Sequence, residues 1–147
     1  SSSVEKSNHS RNLQFIEIEY EGRNLNITNL HGLWNGKGKT DTEHRIEQSN
    51  RIKNFLNNIE GEKILCGDFN LLPDTESIKI IEQTGMDNLI KKYSITSTRP
   101  EIYFKTKGAN SPTYADYVFI SSSIEINDFK VLPDEVSDHS PLYLEIK

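Results

Sequence analysis

Between Leu13 and Gly67 the apolar residues change period twice. "LQFIEIEY" alternates, with Ile16, Ile18 and Tyr20 on one face and Glu17 and Glu19 on the other. That is the period of a half-buried strand, and the two glutamates read as its solvated face. "EGRN" reads as a turn and "LNITNL" as the return strand of a hairpin. The period then becomes helical: Ile52, Phe55, Leu56 and Ile59 form a stripe. Thr40, with Glu43 three residues on, predicts a capping box at its start, and Gly61 predicts its end. "KILCG" follows at once as a buried strand. A hairpin, a helix and a strand in this order require a sheet to which a helical connection returns the chain.

The rest of the chain narrows the class. "DTESIKIIEQ" predicts a second, shorter helix with Ile78 and Ile81 inward, and "MDNLI" a further turn. Residues 92 to 110 read mostly as loop, with a short strand expected at "EIYF". "YADYVFI", "IEINDFKVL" and "PLYLEI" predict three more strands with no helix between them, which argues against a purely parallel sheet. The expected class is α/β with a hairpin-rich, mixed sheet. A length of 147 residues fits one domain with a real core. The first residues, "SSSVEKSNHS", are polar and are expected to fray, so residues 1–12 stand apart from a domain over 13–147.

The single cysteine, Cys66, lies inside an apolar strand and reads as a small core residue. It fits a reducing compartment, so a cytoplasmic location is the expectation. No run is long or apolar enough to predict a membrane span. The net charge of −5 argues against a module that coats nucleic acid by charge alone. It leaves room for an enzyme that meets phosphate through a divalent cation.

Polar residues at the ends of apolar strands carry the functional signal, because burying them unpaired is costly and a sheet rim is their natural place. Four such places occur. His31 follows "NITNL", Asp68 and Asn70 follow "KILCG", Asp116 interrupts "YADYVFI", and Asp138 with His139 precedes "PLYLEI". Taken singly, His31 reads as a turn residue and Asp68 with Asn70 as an Asx turn. Together they supply carboxylate, amide and imidazole without a thiol or serine nucleophile motif. That set suits hydrolysis of a phosphodiester by direct attack of water: a base for the water, donors for the growing charge and a cation on the phosphate. It suits Mg²⁺ or Mn²⁺ better than zinc. Trp34 and Lys37, in the glycine-rich loop past His31, are candidates to stack on a base and to contact phosphate, as is Lys39. Arg45, one helical turn before Gln48, and Arg99 are further candidates for substrate contact; a solvated surface is the alternative for each.

"GDFN" (Gly67–Asn70), "ADYVF" (Ala115–Phe119) and "SDHSPL" (Ser137–Leu142), in that order, resemble the endonuclease/exonuclease/phosphatase superfamily, the fold of pancreatic deoxyribonuclease. "NLHG" (Asn29–Gly32) resembles its strand-end histidine, and "RIEQSNRIKNFL" (Arg45–Leu56) its intervening helix. The resemblance implies a two-sheet β-sandwich flanked by helices, with the catalytic residues on one rim. It implies that Asp68 activates water and that Asn70 holds that water or a phosphate oxygen. It further implies that His139 contacts the scissile phosphate, that Asp116 pairs with His139, that Asp138 serves the metal, and that His31 assists a phosphate or leaving oxygen. The family also carries a metal-binding Glu, and usually an Asn, on strands before the equivalent of "LQFIEIEY". Here only about a dozen polar residues precede that strand. The resemblance therefore implies the C-terminal part of a longer domain, with an uncovered sheet through which copies self-associate and with weak metal binding on its own. Three readings compete: a nuclease, a phosphomonoesterase or lipid or inositol-phosphate phosphatase of the same fold, and an inactive binding or scaffold module.

Overall fold

The computed structural model describes residues 11–147. The expected frayed segment lies, except for Arg11 and Asn12, outside the described residues. The elements are β1 (Leu13–Tyr20), β2 (Arg23–His31), α1 (Glu43–Asn57), β3 (Glu62–Asp68), α2 (Glu76–Glu82), β4 (Met86–Asn88), α3 (Leu89–Lys92), α4 (Glu101–Lys107), β5 (Asp116–Ser121), β6 (Ile126–Val131) and β7 (Leu142–Ile146). Five strands form one sheet in the order β1-β2-β3-β5-β4, and β6 pairs with β7 in a second. The sheet is mixed, as its pattern predicts. β1 and β2 are an antiparallel hairpin, α1 returns the chain so that β3 runs parallel to β2, and β5 is antiparallel to both β3 and β4. Among the described residues no helix is long and apolar enough to cross a membrane.

One core joins the elements. Leu65, Phe119, Tyr117 and Phe69 are all fully buried, and Phe69 packs edge-on against Tyr117. Ile52 and Leu56 of α1 and Ile78 and Ile81 of α2 face this core, while the second sheet contributes Phe129 and the half-buried Leu142 and Leu144.

Several local expectations are corrected. Thr42, not Thr40, caps α1, its hydroxyl accepting from Arg45 N at 3.3 Å. The reason is tertiary: the neighbouring Asp41 is held at the first turn of a different helix, whose own N-cap is Thr75, accepting from Glu76 N and Ser77 N at 2.7 and 2.9 Å. The segment 40–42 thus serves two helices, and α1 starts two residues late. "EIYF" is helical, beginning after Pro100 and carrying a Glu101–Lys105 pair one turn apart. "MDNLI" divides into β4 and the short α3, with Asn88 capping the latter. β1 is not half-buried: Ile16 is 55% exposed and Ile18 and Tyr20 are also open, because β1 is the edge of its sheet and its apolar face lies outside the shared core.

Candidate functional site

The sheet register builds the site. His31 pairs with Asp68 across the β2–β3 ladder, and Asp68 pairs with Asp116 across β3–β5. Three strand ends therefore meet at one rim. Directly opposed residues share a face, so Asp68 and Asp116 stand side by side. Phe69 turns the other way into the core. Close backbone approach makes this possible. A Cβ on Gly67 would lie 2.0 Å from Leu30 O, and one on Gly32 would lie 2.5 Å from Phe69 O. Glycine is required at both places, and that explains the G of "GDFN" and of "NLHG".

His139 comes from the loop before β7. Its Nδ1–H donates to Asp116, 2.9 Å from each carboxylate oxygen. Its Nε2 lies 3.7 Å from Asp68 Oδ2. Asp116 is 13% exposed at its side chain, so the pair is largely sheltered. The hydrogen bond it donates to Asp116 holds the imidazole above the usual histidine range; burial and Arg99 oppose, while the charges of Asp116 and Asp68 reinforce. Among the described residues, one ligand atom each from Asp68, Asp116 and His139 fall within 4.8 Å of one another, a spacing that can hold a cation. Asp116 spends both oxygens on His139, so Asp68 is the carboxylate more available to a metal.

The remaining candidates are placed as follows. Asp68 Oδ1 accepts from Asn70 N at 2.8 Å, an Asx turn that also fixes the carboxylate toward the rim. Asn70 adopts φ 53°, and its amide donates to Gly32 O at 3.3 Å. It braces the His31 loop against the Asp68 loop. His31 is exposed, its Nε2 accepting from Arg11 at 2.5 Å and lying 3.9 Å from Asp68 Oδ2. Asp138 stands apart from the three-residue group and pairs instead with Arg99 Nη1 at 3.2 Å. Its carboxylate, expected to serve a metal, is ion-paired with a guanidinium. Arg99 is neither free nor superficial. It also donates to Asp138 O at 2.8 Å and stacks over Tyr103 at 4.3 Å. With Thr98, whose carbonyl accepts from Ser140 N and whose hydroxyl accepts from Ala115 N, it ties the His139 loop to the start of β5.

Arg45, a candidate for substrate contact, is turned into the protein. It is 1% exposed, and its guanidinium donates to Thr40 O at 2.6 Å and Leu33 O at 3.3 Å. Gln48 accepts from Leu33 N, so the two hold the loop past His31. Trp34 and Lys37 are exposed and line a groove of about 730 Å³ floored by Leu13, Leu30 and Ile52. Arg11 lines it too and touches His31, so the groove adjoins the rim without entering the carboxylate group. Cys66 is half-buried, and burial pushes its thiol up, as suits a packing residue.

Two contributors carried little signal in the sequence. Thr98 sits in "ITSTR" with no pattern to mark it. Lys39 sits beside Lys37 in "GKGK", yet it is buried where Lys37 is exposed. Its Nζ donates to Tyr114 O at 2.8 Å. Burial lowers it to about 8, with Arg99 acting the same way and Asp68 and Asp116 opposing.

None of the curated proteins compared with the chain matches it. Among solved structures, a Bacteroides vulgatus endonuclease/exonuclease/phosphatase is similar at TM-score 0.72 and 16% identity, over 93% of this chain and 55% of that one. The Bacteroides thetaiotaomicron mannosyl-6-phosphatase Bt3783 is similar at TM-score 0.62 and 23% identity, over 86% and 52%. D. rerio TDP2 complexed with a single-strand DNA product is similar at TM-score 0.69 and 13% identity, over 96% and 63%. The chain spans about half to two thirds of the length of these relatives. The profile of the Endonuclease/Exonuclease/phosphatase family matches residues 17–139, from β1 to His139. The chain belongs to the endonuclease/exonuclease/phosphatase family.

Proposed function

We propose that this chain carries the phosphate-facing part of a divalent-metal-dependent phosphoester hydrolase, a nuclease that works by direct attack of water. The observation that supports it best is the convergence of Asp68, Asp116 and His139 from three separate segments into one group. In this reading Asp68 orients water and takes its proton. His139, whose protonated form the hydrogen bond to Asp116 favours, donates through Nε2 to a phosphoryl oxygen as negative charge grows there. Asp116 fixes the tautomer. Asn70 holds the Asp68 and His31 loops in register, and His31 with Arg11 faces the leaving oxygen from the far side of Asp68. Two carboxylates beside an imidazole suit Mg²⁺ or Mn²⁺, with Asp68 as the principal ligand from this chain. When bound, such an ion neutralises the phosphate and stabilises the leaving oxygen.

A second reading changes only the substrate. The net charge of −5 favours a small phosphomonoester over a polyanionic strand. One set of assays separates the two: plasmid, single-stranded DNA, RNA and phosphomonoesters, each with Mg²⁺ or Mn²⁺ and the full-length gene product that carries this chain. Turnover of a phosphodiester is expected, and Asp68→Asn should lower it by roughly 10²–10⁴-fold without changing the circular dichroism. Turnover of monoesters alone selects the second reading. An undiminished Asp68→Asn rate removes Asp68 as the base, and no turnover of any substrate leaves a binding module.

A further inference from the structure

Lys39 is 4% exposed, and lysine is rarely buried to this degree without an ionic partner. Among the described residues no carboxylate lies in ion-pair contact with it; its hydrogen bond goes to the neutral carbonyl of Tyr114. A neutral donor would make that bond at lower cost, since desolvating an ammonium is expensive. What the lysine alone adds is a full positive charge, and its location gives that charge a use. Leu72 N donates to Lys39 O at 2.9 Å, which ties the residue to the loop after Asp68 and Asn70. Tyr114 is two residues before Asp116, and Phe69 N donates to Ala115 O beside it. The ammonium therefore lies at the seam between the two segments that carry the site carboxylates. Asp68 and Asp116 attract it from there, and Arg99 and Arg45 repel it.

We propose that Lys39 is a positioning residue that cancels part of the negative field of Asp68 and Asp116, so that an anionic phosphoryl group can lie against two carboxylates. The inference rests on the phosphoester reading and extends it. A phosphate ester brings more negative charge to a rim that already holds two carboxylates. Fixed positive charge behind them lowers that repulsion without occupying the open side. The same charge works against a divalent cation. A loss of Lys39 thus has opposite effects on the two ligands, whereas a loosened scaffold weakens both.

The test uses inorganic phosphate and Mn²⁺ as probes, measured separately by calorimetry and by electron paramagnetic resonance of free Mn²⁺ at low ionic strength. Lys39→Met should weaken phosphate roughly five- to tenfold and tighten Mn²⁺ several-fold, with both changes shrinking as salt rises. Lys39→Arg should keep both affinities within about twofold of wild type. If Lys39→Met does not fold, Lys39→Gln, which keeps a donor for Tyr114 O, carries the same expectation. Parallel weakening of both ligands, or no change in either, overturns the proposal, as does failure of both neutral variants to fold. A wild-type chain that binds neither probe counts against the phosphoester reading itself.

Discussion

His139 and Asp116 show how one contact sets a residue's chemistry. The imidazole donates to both carboxylate oxygens, and this hydrogen bond raises its titration point. The sign follows from linkage: the protonated ring is better held in the folded chain than in the unfolded one. The resulting stabilisation is fully present below the ordinary histidine value, about 6.5, and is lost as pH rises through the raised folded value. In metal-free protein, Asp116→Asn should move the His139 titration down, read from imidazole proton shifts by NMR. An unmoved titration would show that Asp116 does not hold the charge. Arg99 and Asp138 make the complementary point. Each was a candidate for ligand binding, and the two form an ion pair, Arg99 Nη1 lying 3.2 Å from Asp138 Oδ2. A carboxylate and a guanidinium far apart in the chain can look functional one by one, and only their proximity shows that they neutralise each other.

At the scale of elements, the short segment 40–42 anchors two helices. Thr42 caps α1, while Asp41 accepts two backbone N–H groups and the Ser77 hydroxyl at the start of α2. Burial works against the Asp41 carboxylate, but these hydrogen bonds outweigh it and hold it below the usual range. The stability it adds is therefore present above the ordinary aspartate value and is lost as pH falls through the lowered folded one. Thr42→Ala should cost about 1 kcal/mol, and Asp41→Ala should cost as much or up to about 2, in urea denaturation near pH 7. The Asp41→Ala deficit should narrow in acid, and a deficit constant with pH would contradict this hydrogen-bonding role. α4 carries a different lesson. "EIYF" is a run of four residues, too short to separate strand from helix, and Pro100 stands at the N-cap of the helix it begins.

At the scale of the whole molecule, β1 is the consequential element. Among the described residues it pairs only with β2, and its apolar face, Ile16, Ile18 and Tyr20, stands open. An edge strand with an exposed apolar face invites pairing with another chain. At high concentration the chain should self-associate through this face, and Ile16→Lys with Ile18→Lys should suppress the association. Light scattering that returns a monomer mass across the concentration range for the wild type would refute it. The same face explains why alternation was a good guide to β1 as a strand and a poor guide to its burial. Period two separates the faces of a strand and says nothing about what covers them.

The elements on either side of the site were legible because their residues answer to local rules. Alternation marked β1 and β2, a helical stripe marked α1 and α2, and a carboxylate or imidazole set at the end of an apolar run marked His31, Asp68, Asp116 and His139. The order of "GDFN", "ADYVF" and "SDHSPL" was enough to indicate the family. What the tertiary structure decided is which polar group meets which. Lys39 and Lys37 are alike in sequence, and burial by the loops from β3 and into β5 separates them. Arg45, Arg99 and Asp138 were read as binding residues, and the fold gives them partners within the protein: Leu33 O for Arg45, each other for Arg99 and Asp138, and the Tyr103 ring for Arg99. Period acts within about a turn of chain, so a sequence shows it directly. Charge neutralisation and desolvation act through space, so they become visible only when the strands have brought distant residues to one rim.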